Sequence, residues 1–323
     1  VFKPGGPRRV GTAIGERVGE HDRVTGPLPP PDARRPTAAD WLAGGAADGA
    51  ALAVLGVPTF ATSRPRTGAH ATPAAVRRAL AGFSTWSAVR RRDLADLAAV
   101  DLGDVADPDL EVDGEWRTMH AVSSACAGAA LTVVLGGDGA VTAPSVLGMA
   151  GDDLAGAGLV TLDAHHDLDD GRSGASSARR VLDAGLPGGQ LAQVGIADWA
   201  PRLDGDTAAS RGVTVLSRAE VEVRGVAESV RRALDVAGAG GGPVYLAVDL
   251  GVCDAAEVPG CARAVPGGLT ARDLLLAVHV AAADPRVRAI DLTEVDATRD
   301  TGGRTVRLAA LCLLEAAAGL AAR

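Results

Sequence analysis

The sequence has no basic surplus. Its 32 Lys and Arg are outnumbered by 40 Asp and Glu, for a formal net charge of −8, so the electrostatic footprint of a nucleic-acid binder is missing and no nucleic-acid partner is expected. Apolar runs of membrane-spanning length are also lacking, and Val1 to Gly26 carry no apolar core of a secretory signal. These absences point to a cytoplasmic protein without a membrane partner. The four cysteines, Cys126, Cys253, Cys261 and Cys312, do not have zinc-ligand spacing, and free thiols are expected in a reducing compartment. Lysine occurs once, at Lys3, while Arg, Ala and Gly abound, the composition of a high-GC bacterial coding sequence.

What is present is a 323-residue chain, 47% hydrophobic, long enough for one large α/β domain with a single core. Residues 1–46 are rich in Pro, Gly and Arg with little periodicity and read as an N-terminal arm. Residues 47–323 read as the folded domain. Within it eight apolar, β-branched runs predict strands: 51–57, 97–102, 131–135, 158–162, 191–196, 213–216, 244–248 and 287–292. Helical patterns over 72–82, 116–130, 176–185, 218–237, 270–283 and 305–322 alternate with them. Thr72-Pro73 and the capping-box spacing of Thr270 and Asp273 mark two helix starts. Such alternation predicts a mostly parallel sheet covered on both faces by helices.

The chemistry-bearing cluster is Asp163-Ala-His-His-Asp167, at the end of the apolar run Ala157 to Leu162. Alternation along an extended chain turns Asp163, His165 and Asp167 to one side and His166 to the other. Carboxylate and neutral imidazole suit Mn, Zn, Fe or Ni, and the carboxyl end of a parallel strand is where open α/β sheets place ligands. A capped, solvated polar loop is the alternative reading. Other strand ends add carboxylates: Asp249 follows Val244 to Val248, and Glu294 follows Ala289 to Leu292. In a parallel sheet all five residues meet over one cleft. Leu135-Gly-Gly-Asp-Gly139 ends another strand at the same edge, where a plain turn is its default reading.

Taken in order, these segments resemble the ureohydrolase family of arginases, agmatinases and formimidoylglutamases. The resemblance runs from about Leu52 to the C-terminus: Leu55-Gly-Val-Pro58, Gly68, Pro73 to Arg77, Leu135 to Asp138, Asp163 to Asp167, Gln193-Val-Gly-Ile196, Asp249 to Asp254, Pro259-Gly260, Pro266 to Thr270 and Glu294-Val295. It implies a three-layer αβα sandwich with an eight-stranded, mostly parallel sheet. It also implies a pair of Mn ions supplying a hydroxide that attacks an amidine carbon, with Zn or Fe as lesser candidates. Carried over by position, Asp163 and Asp249 would touch both metals, Asp167 one and His165 the other. Asp163 and Glu294 would serve catalysis, with Glu294 accepting hydrogen bonds from the cationic amidine. A small-molecule amidine or guanidine is the implied substrate, and a homo-oligomer is the implied assembly.

Three positions depart from the family pattern. Gly139 stands where arginases and agmatinases have a metal-binding His, Gly251 where they have a metal-binding Asp, and Gly174 where many relatives have a loop His. Formimidoylglutamase-type members commonly lack the loop His, and Glu294-Val-Asp-Ala-Thr298 leading to Arg304-Thr-Val-Arg-Leu308 resembles that branch. Its substrate carries two carboxylates and calls for arginine partners, with Arg172 nearest in the chain and Arg64, Arg66 and Arg263 on other presumed edge loops. Asp169-Asp170 would instead suit a cationic tail such as that of agmatine. The expectation is therefore formimidoylglutamate hydrolysis, against an agmatinase or guanidino-acid hydrolase, a single-metal site, or a catalytically silent relative.

Overall fold

A computed structural model describes residues 36–45, 49–109, 111–171 and 173–323. Among the described residues there are ten strands: β1 Leu52–Val57, β2 Trp86–Ser87, β3 Arg92–Asp93, β4 Ala99–Asp104, β5 Leu131–Gly136, β6 Gly158–Leu162, β7 Leu191–Ile196, β8 Thr214–Ser217, β9 Val244–Asp249 and β10 Val287–Thr293. The helices are α1 Ala38–Ala43, α2 Thr72–Ala79, α3 Glu111–Gly128, α4 Thr142–Ala150, α5 Ser177–Ala184, α6 Arg202–Arg211, α7 Arg218–Arg224, α8 Val226–Ala237, α9 Ala271–Ala283 and α10 Arg304–Leu320.

Eight strands form one sheet in the order β4-β1-β5-β10-β9-β6-β7-β8, and every neighbouring pair is parallel. The expected three-layer α/β architecture is present. β1, β5, β6, β7 and β9 are buried at every residue, as a sheet covered on both faces requires. Alternation sorts their side chains between two layers. Val133, Val160, Leu246 and Ile290 pack toward residues of α2, α8, α9 and α10, whereas Val134, Leu159 and Tyr245 pack toward residues of α3, α4, α5 and α6. No helix among the described residues is long and apolar enough to cross a membrane.

The folded domain begins earlier than residue 47. Of the expected arm, residues 1–35 and 46 lie outside the described residues, but α1 falls within it and docks on the core. Thr37 and Asp40 close a capping box, Ala38 and Leu42 are buried, and Trp41 Nε1 donates to Leu97 O at 2.9 Å. The helical run expected over 218–237 is two helices, because Gly225 adopts φ +81° and breaks it. The antiparallel pair β2–β3 and the helices α4 and α6 were not anticipated.

A buried polar network ties α4 to the sheet. The Asp291 carboxylate, fully buried in β10, accepts from Thr142 Oγ1 at 2.8 Å, Val248 N at 3.0 Å and Tyr245 OH at 3.1 Å. Burial pushes its carboxyl up to about 6. Asp291→Ala leaves three donors without an acceptor, and we expect a loss of roughly 3–5 kcal/mol of unfolding free energy in urea titrations. A cost under about 1 kcal/mol would show that the network contributes no more than ordinary surface contacts.

Candidate metal centre

The four central strands β5, β10, β9 and β6 bring their carboxyl ends together. β6 pairing extends one residue beyond the strand, since Asp163 N donates to Val194 O at 3.1 Å. That fixes the Asp163 backbone at the sheet edge. Asp163 Oδ1 accepts from His165 N at 2.8 Å, turning the chain so that the imidazole comes back over the carboxylate. From β9, Asp249 offers a buried carboxylate whose Oδ1 accepts from Gly251 N at 2.6 Å. One ligand atom from each of Asp163, His165 and Asp249 lies within 4.8 Å of the others.

Asp167 does not join that group. Extended alternation would have carried it there, but the chain has left the extended conformation, and Asp167 sits at φ 51°, in the left-handed region. Its Oδ2 accepts from Ser177 Oγ at 3.0 Å and its Oδ1 is 3.8 Å from Arg263 Nη1. His166 faces away, as alternation predicts: it is buried, with Nδ1 2.6 Å from Gln193 Oε1 and its carbonyl accepting from Gln193 Nε2 at 2.8 Å.

Glu294 follows β10 with φ 63°, another left-handed non-glycine residue, and backbone strain of this kind collects at functional sites. Its N–H donates to Gly137 O at 2.9 Å, and its Oε1 accepts from Gly139 N at 2.7 Å. Gly139 and Gly174 stand face to face beside it. A Cβ on Gly139 would lie 3.2 Å from Gly174 O, 3.3 Å from Gly174 Cα and 3.4 Å from Glu294 Oε1. Two positions that lack the expected histidines thus pack backbone against backbone, and the loops close over the space side chains would take. At Gly251 an added Cβ would come within 2.9 Å of Asp249 Oδ1.

A cavity of about 520 Å³ opens at this edge, with Thr62, Arg64, Asp170, Ser173, Arg263 and Glu294 among its lining residues. Asp138 holds one wall: its buried Oδ2 accepts from Thr62 N, Thr62 Oγ1 and Ser63 Oγ at 3.1, 2.9 and 3.2 Å. The Gly-Gly-Asp-Gly segment is therefore more than a turn. Of the arginines singled out in the sequence, Arg64 and Arg263 line the cavity, while Arg172 lies outside the described residues. Cys253 and Cys261 are free and buried. Burial pushes the Cys253 thiol up to about 12, the mark of a core-filling thiol rather than a ready thiolate.

Crowding of buried acids sets the electrostatics. Burial first, then neighbouring charge, pushes Asp163 up to about 7 and Glu294 up to about 8. Asp167 and Asp249 are raised well above the usual carboxylate range, by burial and then by Asp163. Burial, followed by the Arg263 charge, lowers the His165 imidazole. His165 Nδ1 is 3.3 Å from Asp163 Oδ1 without making a hydrogen bond, and like Asp167 Oδ1 it is buried without a hydrogen-bond partner. Crowded buried carboxyls whose ionisation needs a counter-charge, an orphaned imidazole nitrogen and an O,N,O donor set fit a divalent cation such as Mn.

The pH dependence of stability follows from these directions. Asp163 and Glu294 have folded-state values above their unfolded ones, near 4, so their contribution is intact below about pH 4 and is lost as pH climbs toward about 8. A cation that neutralises the carboxylates cancels the loss. Mn should therefore raise the melting temperature more at about pH 8 than at about pH 5.5, as read by differential scanning fluorimetry. An equal shift at both values would mean that Mn does not bind these acids.

The chain matches the arginase family across residues 50–319. A formimidoylglutamase of Halobacterium salinarum is 35% identical over 276 residues, covering 82% of this chain and 87% of the relative. One from Halalkalibacterium halodurans is 31% identical over 277 residues, covering 81% and 84%. The crystal structure of formimidoylglutamase from Bacillus subtilis superposes with a TM-score of 0.83 at 27% identity, over 90% of this chain and 93% of that one. Trypanosoma cruzi formiminoglutamase with Mn2+ shares the fold, with a TM-score of 0.83 at 21% identity, over 90% and 99% of the two chains. Since the matched residues 50–319 include all eight strands of the sheet and every strand end that builds the site, the chain belongs to the arginase family.

Proposed function

We propose that this protein hydrolyses the C–N bond of a linear amidine in a metal-dependent reaction, with N-formimidoylglutamate as substrate and glutamate and formamide as products. The observation that carries the reading is the convergence of Asp163, His165 and Asp249 beside a cavity lined by both Glu294 and arginines, in a chain whose relatives include formimidoylglutamases. Mn would be held by Asp163, His165 and Asp249, and when bound it supplies Lewis acidity and a hydroxide nucleophile at neutral pH.

The chain's own groups do the rest. Glu294, with Oε1 anchored on Gly139 N, presents its carboxylate to the N–H groups of the amidinium and sets the amidine carbon against the donor cluster of Asp163, His165 and Asp249. Asp163 Oδ1 accepts from His165 N and keeps a second lone pair for the ion, which leaves Oδ2 to take the proton of the attacking water and return it to the departing amine. Arg64, on the cavity wall, meets a substrate carboxylate. Arg172, which lies outside the described residues, is proposed from its sequence position alone as the partner of the second carboxylate.

An anionic tail fits better than a cationic one. Of the two acids that would favour an amine, Asp170 is already paired with Arg179 at 3.0 Å. The glycines at 139 and 251 favour a second reading, a catalytically silent relative whose metal site has thinned. Turnover of the Mn-loaded protein on formimidoylglutamate, agmatine, arginine and guanidinobutyrate separates these. We expect formamide release from the first alone; preference for agmatine or guanidinobutyrate would reassign the substrate, and no turnover on any would favour the silent relative.

A further inference from the structure

Arg263 is placed where a solvated loop arginine would not be. Its chain segment follows Pro259-Gly260, and its guanidinium reaches inward: Nη1 stands 3.8 Å from Asp167 Oδ1, the side chain is 30% exposed and that of Asp167 12%. The same charge acts on Asp167, Asp249, Asp163 and Glu294 together. Asp167 is also the one carboxylate of the Asp163-Ala-His-His-Asp167 segment that stays out of the three-donor cluster. The carboxylate beside Arg263 and the carboxylate missing from the cluster are one residue.

The glycines lie on the same side of the problem. At 251 no side chain assists Asp249; the Gly251 N–H instead donates to it. At 139 the backbone N–H is committed to Glu294. Donors for one ion are gathered in Asp163, His165 and Asp249, whereas side-chain donors for a second ion are absent at 139 and 251, and the remaining carboxylate, Asp167, is held by Ser177 Oγ with the Arg263 guanidinium 3.8 Å away.

Building on the proposed metal-dependent reading, we infer that the site binds a single divalent ion and that the Arg263 guanidinium, set beside Asp167, supplies the second positive charge. A permanent cation near 4 Å repels an incoming divalent ion and neutralises the carboxylate that would have received it. Arg263 is in this sense a positioning residue for Asp167 and a determinant of metal stoichiometry. One ion is then the saturated state of the site rather than a half-loaded one.

Counting bound Mn tests the inference without reference to activity. The free-Mn electron paramagnetic resonance signal is followed as Mn is titrated into metal-stripped protein, and metal content after desalting is measured by mass spectrometry. Wild type should saturate at about one ion per chain, with the spectrum of an isolated Mn ion and no exchange-coupled pair. Arg263→Leu, and more so Arg263→Leu combined with Gly251→Asp, should gain a second site and saturate near two. The added carboxylate requires Asp249 to rotate away from its bond to Gly251 N, a movement of a side-chain end only. Arg263→Lys keeps the charge and should stay near one, a readout that still stands if the leucine variant folds poorly. Two ions in wild type, or no second ion in either leucine variant, would overturn the inference while leaving the metal-dependent reading intact. No ion in wild type would instead overturn that reading, and this inference with it.

Discussion

Asp249→Asn is expected to strip the protein of tightly held Mn and to lower turnover by roughly 10³-fold or more, since neutral-pH hydroxide and Lewis acidity leave with the ion. Asp249 is the cluster's link to β9, and its ligand atom stands within 4.8 Å of those from Asp163 and His165. Asparagine keeps the shape and can still accept from Gly251 N, but it brings no charge and leaves only two full-strength donors. The metal-free protein should respond in the opposite sense. Burial and Asp163 raise the Asp249 carboxyl well above its usual range, so ionising it in the folded state is unfavourable at neutral pH. Metal-free Asp249→Asn should therefore melt no lower than metal-free wild type at about pH 8. Metal content and thermal melts run together separate loss of a ligand from loss of fold. A variant that retains its Mn with turnover unchanged would remove Asp249 from the site.

Glu294→Gln should lower kcat/KM by about 10² to 10³-fold with Mn content unchanged. The prediction rests on position: Glu294 lines the cavity, stands apart from the three-donor cluster and is held by Gly137 O and Gly139 N. A carboxylate complements both N–H groups of an amidinium, whereas the glutamine amide opposes one of them with its own N–H. Because the side chain keeps its volume and its φ of 63°, the fold should survive. Mn loss in parallel with activity would make Glu294 a metal ligand instead, and an unaltered kcat/KM would leave it a role in packing the Gly139 and Gly174 loops only.

The sheet was legible because its strands are short, apolar and β-branched, a pattern that full burial on both faces demands. Seen next to each other, the ends of β6, β9 and β10 then brought Asp163, Asp249 and Glu294 to one edge. Other features are not legible in the sequence, for physical reasons that can be named. α1 hides in a Pro-rich stretch, where the Thr37 and Asp40 capping box was its local signal. α4 carries buried Thr142, Ala143, Pro144, Ser145, Val146 and Gly148, so little amphipathic period marks it. Extended alternation and the family resemblance both put Asp167 with Asp163 and His165, but its φ of 51° shows that the extended conformation has ended there, so alternation alone does not place its carboxylate. Arg263 could be named from sequence only as one arginine among several on presumed loops, because its approach to Asp167 depends on a tertiary contact. The Asp138 anchor of the cavity wall was for the same reason indistinguishable from a turn residue.

The most direct measurement is formamide release from N-formimidoylglutamate by metal-stripped protein before and after Mn is restored. Metal-dependent amidine hydrolysis at Asp163, His165 and Asp249 predicts negligible turnover without metal and recovery that follows bound Mn in proportion. Turnover that persists undiminished in the stripped protein, or none with Mn fully bound, would contradict it.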